Sequence, residues 1–412
     1  MNSLYKLWFF IVFWYYYLAV FVTYLFIYKK LINNKNTLKK TIVFLENFPI
    51  ENSGYQYRAY KWKPFLEKAG YSVQIWTIVE EKARFEKLLK TQRTRFLILS
   101  LRKRFIQIIK SRKFQTVIVR RELLIYNDYG NLFMEKLLLK IHPYAILDFD
   151  DDIAAAKKQP KKITNIYGHL LSEHGDKFNA SLNLYNRFIV GSDYLKRLVL
   201  DRAAGTRPEN VCVIPTCVDY DKYPAKHHFF NDETIRMGWI GGDHNLGLLR
   251  TIIPALNEVA RIMPIELIII AGRNPKFLTE FPVRFCKWSL NREVALLREI
   301  DIGLMPVEDT PRGRGKCGFK LIQYMGLGIP AIADAVGANT EIIEHEKSGW
   351  LVQKNNWTEI LQKAGSCNNF GEIAQNARIT VEKSYSFTGN YQKYLEFIND
   401  KEKHKNSNPP SK

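Results

Sequence analysis

At 412 residues the chain is too long for one hydrophobic core and suits two domains with additions. It is 46% hydrophobic and 25% charged, a globular composition, and its formal net charge of +20 points to nucleic acid, an anionic membrane face or phosphorylated substrates. No zinc-finger spacing or aromatic RNA-binding signature supports nucleic acid, and five irregularly spaced cysteines (Cys212, Cys217, Cys286, Cys317, Cys367) exclude a disulfide framework and favour a reducing compartment.

Leu7 to Tyr28 carries no charge and is dominated by aromatic and aliphatic residues. As a helix it is roughly 33 Å long, enough to cross a bilayer core. Lys6 precedes it, and Lys29, Lys30, Lys35, Lys39 and Lys40 follow. The expectation is a single-pass anchor in the inner, cytoplasmic membrane, with the remaining chain in the cytoplasm. The alternative is an aromatic helix lying in the interface, because Tyr15-Tyr16-Tyr17 is a poor choice for lipid. A signal peptide is disfavoured by the length of the apolar stretch and by the missing small-x-small cleavage site.

After this anchor and linker (1–39), short β-rich runs alternate with helical patterns. Strands are expected at Thr41–Glu46, Ser72–Ile78, Thr116–Arg120, Tyr144–Phe149, Arg187–Val190 and Val211–Ile214. Helices are expected near Tyr57–Ala69, Glu81–Lys110, Leu132–Ile141, Ile163–Leu184 and Asp193–Ala203. Such alternation implies a parallel, doubly wound sheet over 40–215. Pro215 through Asp232 has no sustained period and reads as an interdomain connection. A second αβ series then fills 216–388, with strands at Ile235–Ile240, Ile265–Ala271, Val283–Trp288, Ile302–Pro306, Ile329–Ala333 and Trp350–Val352. A last helix, Gly389–Lys401, packs back on the first domain in this reading, and a charged tail completes 389–412.

The densest chemistry lies between Arg312 and Glu341. Arg312, Arg314, Lys316 and Lys320 cluster before and within the first turns of a helix expected at Lys316–Leu327. Backbone N–H groups of Gly318 and Phe319 at a helix N-terminus, with fixed cations beside them, suit an anionic group. Gly315-Lys316-Cys317 lacks the earlier glycine and the Ser/Thr of a nucleoside-triphosphate loop. Gly241-Gly242-Asp243-His244-Asn245 forms a turn between a strand and a helix, and Lys287-Trp288 follows another strand. Val336-Gly337-Ala338-Asn339 opens a further helix carrying Glu341. In the first half, Glu51-Asn-Ser-Gly54-Tyr-Gln-Tyr-Arg58 follows the first strand, and Gly54 permits close backbone approach. Arg58 either contacts an acceptor phosphate or begins a helix. Asp148-Phe-Asp-Asp-Asp152 ends a buried strand, a costly concentration of like charge.

The run from Arg314 to Glu341 resembles the donor-binding segment of the glycosyltransferase group 1 family (glycosyltransferase family 4) over some thirty positions in register. That resemblance implies a GT-B fold, two Rossmann-like domains facing a cleft, and transfer of a sugar from a nucleotide diphosphate with retention. It places Gly241, Gly242, His244, Trp288, Lys316, Gly318, Phe319, Gln323, Gly337, Asn339 and Glu341 around the donor, and Gly54 and Arg58 on the acceptor side. Lys320 and Arg314 then assist departure of the diphosphate, while Asp150 and Asp151 orient the acceptor or act as catalytic acids. No metal or cofactor is implied. The acceptor expected for a membrane-anchored enzyme is a lipid-linked saccharide or envelope glycan, as in lipopolysaccharide assembly.

The chain departs from the family where two glutamates should bracket the loop: Gly315 stands at the first and Gln323 at the second, leaving Glu308 or Asp309 as substitutes. Other readings are a metal-dependent GT-A transferase using Asp148-Phe149-Asp150 as its DxD, a nucleotide-sugar 2-epimerase, and a non-catalytic sugar-nucleotide-binding partner.

Overall fold

The computed structural model describes residues 3–27, 38–51, 53–125, 132–155, 175–230 and 233–400. They form two compact units, residues 1–214 with 393–412, and Pro215–Gln392. In the first unit, β1 (Leu38–Leu45), β2 (Ser72–Trp76), β3 (Phe114–Arg120), β4 (Ile146–Phe149), β5 (Arg187–Val190) and β6 (Val211–Val213) make one parallel sheet, in the order β2-β1-β3-β4-β5-β6. Val43 lies opposite Gln74 on one side and Val117 on the other. The central strands carry continuous apolar runs because helices cover both faces: Ile42, Val43, Leu45, Ile118 and Val119 are inaccessible to solvent, whereas the edge strand β2 alternates with exposed Ser72 and Gln74.

The expected membrane span is corrected. Helix α1 (Ser3–Val22) is present, but among the described residues no helix is long and apolar enough to cross a membrane. Phe13, Tyr17 and Val20, three to four residues apart on one face, are buried in the core of the first unit. There α1 packs against α3 (Arg93–Ser111) and α4 (Phe133–Ile141), with the Tyr17 and Phe133 rings 5.5 Å apart. Part of the apolar surface that suggested a bilayer therefore meets protein. Lys29, Lys30 and Lys35 lie outside the described residues, as do 163–174 of one expected helix and the tail beyond 400.

Two expected helices are subdivided. The Tyr57–Ala69 pattern becomes α2 (Ser53–Arg58), a 3₁₀ turn and a helix at Lys63–Lys68, restarted by Pro64 in its first turn. The Glu81–Lys110 pattern breaks at Gln92, which takes φ −127° between Lys82–Thr91 and α3.

The second unit holds β7 (Ile235–Ile240), β8 (Ile265–Ala271), β9 (Val283–Lys287), β10 (Ile302–Met305), β11 (Ala331–Asp334) and β12 (Gly349–Val352), again all parallel, in the order β12-β11-β10-β7-β8-β9. Strand succession runs outward in both directions from the β7–β10 pair, and in such sheets ligands bind beyond the strand C-termini at that reversal. Its helices include α5 (Glu293–Leu297), α6 (Pro311–Arg314), α7 (Phe319–Gly326) and α8 (Asn339–Ile342). Tyr324 anchors α7 to the reversal: its buried hydroxyl accepts from the Ile240 N–H at 2.9 Å and lies 3.4 Å from the Leu304 carbonyl. The chain returns to the first unit within α9 (Phe387–Asn399). There Tyr394 stacks on Trp62 at 4.4 Å, and Arg187 donates to the Phe397 carbonyl.

Candidate active site

The loops after β7, β10 and β11 bring the basic residues of the second unit together. Directly after β7, Gly241 and Gly242 turn the chain into a 3₁₀ turn at Asp243–Asn245. A Cβ on Gly241 would lie 2.6 Å from the Trp239 ring and 2.9 Å from Lys320 Cε, so the glycine makes room for the lysine stem. Asp243 accepts from the N–H groups of Gly272 and Arg273, at 3.0 and 3.2 Å, which ties the β7 loop to the β8 loop.

His244 stands among cations. Partial burial lowers its pKa, and the charges of Arg312, Lys316 and Lys320 lower it further, with Asp243 opposing. Lys316 Nζ donates to Asn245 Oδ1 at 3.3 Å, and Lys320 Nζ lies 5.5 Å from the Trp239 ring centroid. The cluster of His244, Arg312, Lys316 and Lys320 thus assembles from two segments some seventy residues apart in sequence.

Two details of the basic loop differ from expectation. The helix begins at Phe319, not Lys316, because Gly318 adopts φ +66° and ends the preceding loop in a left-handed conformation. Lys316 therefore lies in the loop, while Lys320 occupies the first turn of α7, whose N-terminal end carries positive partial charge. Arg314 pairs with Asp309 through two contacts of 2.5 and 3.1 Å, both side chains being half-exposed. The Arg314 bond holds the Asp309 carboxyl below its ordinary range. This pairing already occupies Asp309, one of the two substitutes for the missing glutamate.

Gln323 is buried, and its Nε2 donates to Glu293 Oε1 at 2.8 Å. Trp288 Nε1 donates to the other oxygen of the same carboxylate, also at 2.8 Å. Glu293, in the first turn of α5, went unrecognised in the sequence; its signal, an acid shortly after Trp288, acquires meaning only once α7 packs beside α5. Asn339 is buried and its Nδ2 donates to the Asp334 carbonyl at 2.9 Å, which holds the β11 loop. The Asp334 carboxylate, also unrecognised, accepts from Val307 N at 2.7 Å and Trp357 Nε1 at 3.0 Å, joining the ends of β10 and β11. Gly337, at φ +55°, lets this loop lie against the Arg314 backbone, and Glu341 is exposed one turn later.

In the first unit the acidic run ends β4. Arg58 is buried, ion-paired with Asp148, and donates to the Ile214 carbonyl. The assignment of Arg58 to an acceptor phosphate is therefore corrected: its charge is spent inside the domain. Arg120 pairs with Asp150 and lies 3.7 Å from Asp148. Burial alone would raise the Asp150 pKa, but Arg120, Arg58 and Arg121 outweigh it and bring the carboxyl down to about 2. A carboxylate held this way is a poor proton donor, so Asp150 does not fit the role of catalytic acid. Both carboxylates of the Asp148-Phe149-Asp150 pattern face arginine, an environment that repels a divalent cation. Asp152 is buried and pairs with Arg202 at 3.6 Å. Asp151 is half-buried and, of the four acids, the least enclosed. Gly54 lies half-buried in the first turn of α2.

Residues 236–367 match the family described as Glycosyl transferases group 1, a span that contains the whole basic cluster. No curated protein sequence is matched. Among solved structures, sucrose-phosphate synthase (tll1590) from Thermosynechococcus elongatus is similar with TM-score 0.63 at 14% identity, over 88% of this chain and 98% of that one. Anabaena HepE in complex with UDP and glucose gives 0.60 at 14%, over 87% and 99%. The lipopolysaccharide outer core galactosyltransferase WaaB gives 0.58 at 13%, over 88% and 99%. At such identities the likeness establishes the fold, GT-B, and the family match is confined to residues 236–367 of the second unit.

Proposed function

We propose that this chain transfers a sugar from a nucleoside diphosphate sugar to a glycan hydroxyl, with retention of anomeric configuration. The observation that carries the proposal is the cluster of His244, Arg312, Lys316 and Lys320 around the Gly241-Gly242 turn and the α7 N-terminus, inside the span that matches the family. In the reaction the bond from the anomeric carbon to the diphosphate breaks and a bond to the acceptor oxygen forms. The acceptor proton passes to a donor phosphate oxygen on the same face. One further negative charge develops on the leaving diphosphate, which already carries two, and preorganised cations with a helix N-terminus stabilise it without reorganising. Trp288 and Gln323, linked through Glu293, supply a flat apolar surface and hydrogen-bonding groups suited to the base and ribose.

Acceptor chemistry belongs in this reading to the first unit, with Asp151, the least enclosed acid after β4, as the group that orients a hydroxyl. A lipid-linked or envelope glycan acceptor is supported by the fold likeness to the enzyme named as a lipopolysaccharide outer core galactosyltransferase. The test is isothermal titration and nucleotide-release turnover of the full chain against a panel of nucleotide sugars. The expected result is binding and release of nucleoside diphosphate that Lys320→Ala and Lys316→Ala both impair. Full turnover in both variants would overturn the assignment.

A further inference from the structure

Helix α1 presents two apolar faces, and the first unit covers only one of them. Phe13, Tyr17 and Val20 enter its core, whereas Leu7, Ile11, Tyr15 and Leu18, and Phe26 in the π-helical turn that continues α1 (Thr23–Ile27), are each between 57% and 74% exposed. Their spacing of three, four and eight residues sets them along one side of a helix, a continuous apolar stripe of a kind that water-soluble surfaces do not ordinarily leave open. Trp8 and Trp14 border the stripe, at 52% and 38% exposure, and indole rings favour the level where hydrocarbon meets headgroups.

Charge selects the occupant. The first acidic residue of the chain is Glu46, so α1 and everything before β1 carries none. Helix α3, on which α1 packs, lies inside residues 87–121, a stretch with twelve Lys and Arg and no Asp or Glu. Arg95, Arg102, Lys110 and Lys113 of that stretch are exposed, and Ile106 of α3 is 40% exposed beside them. The one acid in α4, the other helix against α1, is Glu135, which is buried. An apolar partner surface would leave these cations unanswered, whereas an anionic bilayer satisfies both features together.

We infer that α1 is a monotopic membrane-docking helix: its outer face sinks into the acyl–headgroup boundary of an anionic leaflet while its inner face remains in the core of the first unit. Spanning is not part of this inference, since a crossing would pull Phe13, Tyr17 and Val20 out of the domain. The inference is independent of the donor chemistry.

The experiment is co-sedimentation of the full chain with vesicles of phosphatidylcholine mixed with phosphatidylglycerol, compared with pure phosphatidylcholine. The parent protein should bind the anionic vesicles, lose them as salt rises, and leave native membranes in alkaline carbonate. Ile11→Glu and Leu18→Glu, each at an exposed position, should lower partition at least about tenfold while keeping the parent melting curve. Three results would overturn the inference: equal binding to both vesicle types, retention after carbonate, or a dimer that Leu18→Glu dissolves in a protein that binds no vesicles.

Discussion

Glu46 follows β1 in the first unit, 1% exposed. Its Oε1 accepts from Asn47 N at 2.9 Å and Phe48 N at 3.4 Å, while its buried Oε2 has no hydrogen-bond partner among the described residues. Burial raises its pKa from 4.5 to about 7, against the opposing charges of Arg120 and Arg104 and the two backbone N–H groups. The unfolded chain releases this proton near 4.5 and the folded chain near 7, so between those values the folded state binds more protons. Stability from this residue is therefore complete below 4.5, falls as pH rises through the window, and levels off above about 7. The full span corresponds to roughly 3 kcal/mol. Glu46→Gln keeps the shape and the acceptor oxygen but cannot ionise. It should match the parent at acid pH and exceed it by up to about 3 kcal/mol above neutrality. Paired urea melts across the window isolate the effect, because the other titrating groups cancel in the difference. A difference that is flat with pH, or a variant less stable above neutrality, would mean that Glu46 is ionised in the fold and held by Arg120 and Arg104.

Lys320→Ala should lower kcat for donor turnover by about 10²-fold, as loss of one preorganised charge-stabilising group does, whereas Arg314→Ala, whose partner is the surface Asp309, should change it less than about threefold. Equal losses in the two would show that Arg314 reaches the diphosphate. Gly241→Ala places a methyl 2.6 Å from the ring of buried Trp239 and 2.9 Å from Lys320 Cε, so calorimetry should find weaker binding of nucleoside diphosphate and denaturant melts a loss of about 1 to 3 kcal/mol; unchanged affinity would refute the packing argument. Arg58→Met strands buried Asp148 and should cost about 3 to 5 kcal/mol in denaturant melts. A loss below about 1 kcal/mol would mean that Arg120 alone satisfies Asp148.

Among the described residues the central strands were legible because a parallel strand covered on both faces is an uninterrupted apolar run, as in Ile42-Val43-Phe44-Leu45 or Leu267-Ile268-Ile269-Ile270. The turns of the basic loop were legible for a related reason: Gly318 and Gly337 take positive φ, a local backbone demand that glycine meets, whereas Gly241 answers to the Trp239 ring and to Lys320, far along the chain. The loop's partners were not. Glu293 meets Gln323 across thirty positions, and Arg58 meets Asp148 across ninety. Arg312 and Arg314 look alike in the chain, and only the Asp309 contact separates them.

Taken alone, the order of residues determined the two αβ series, their parallel sheets, the phosphate-suited loop and the excess of positive charge. Tertiary structure decided which charges neutralise one another and which do not, and which face of α1 meets protein. Hydrophobicity and charge act on whatever lies nearest in space. An apolar helix face or a carboxylate therefore has no assigned role until folding supplies its neighbour.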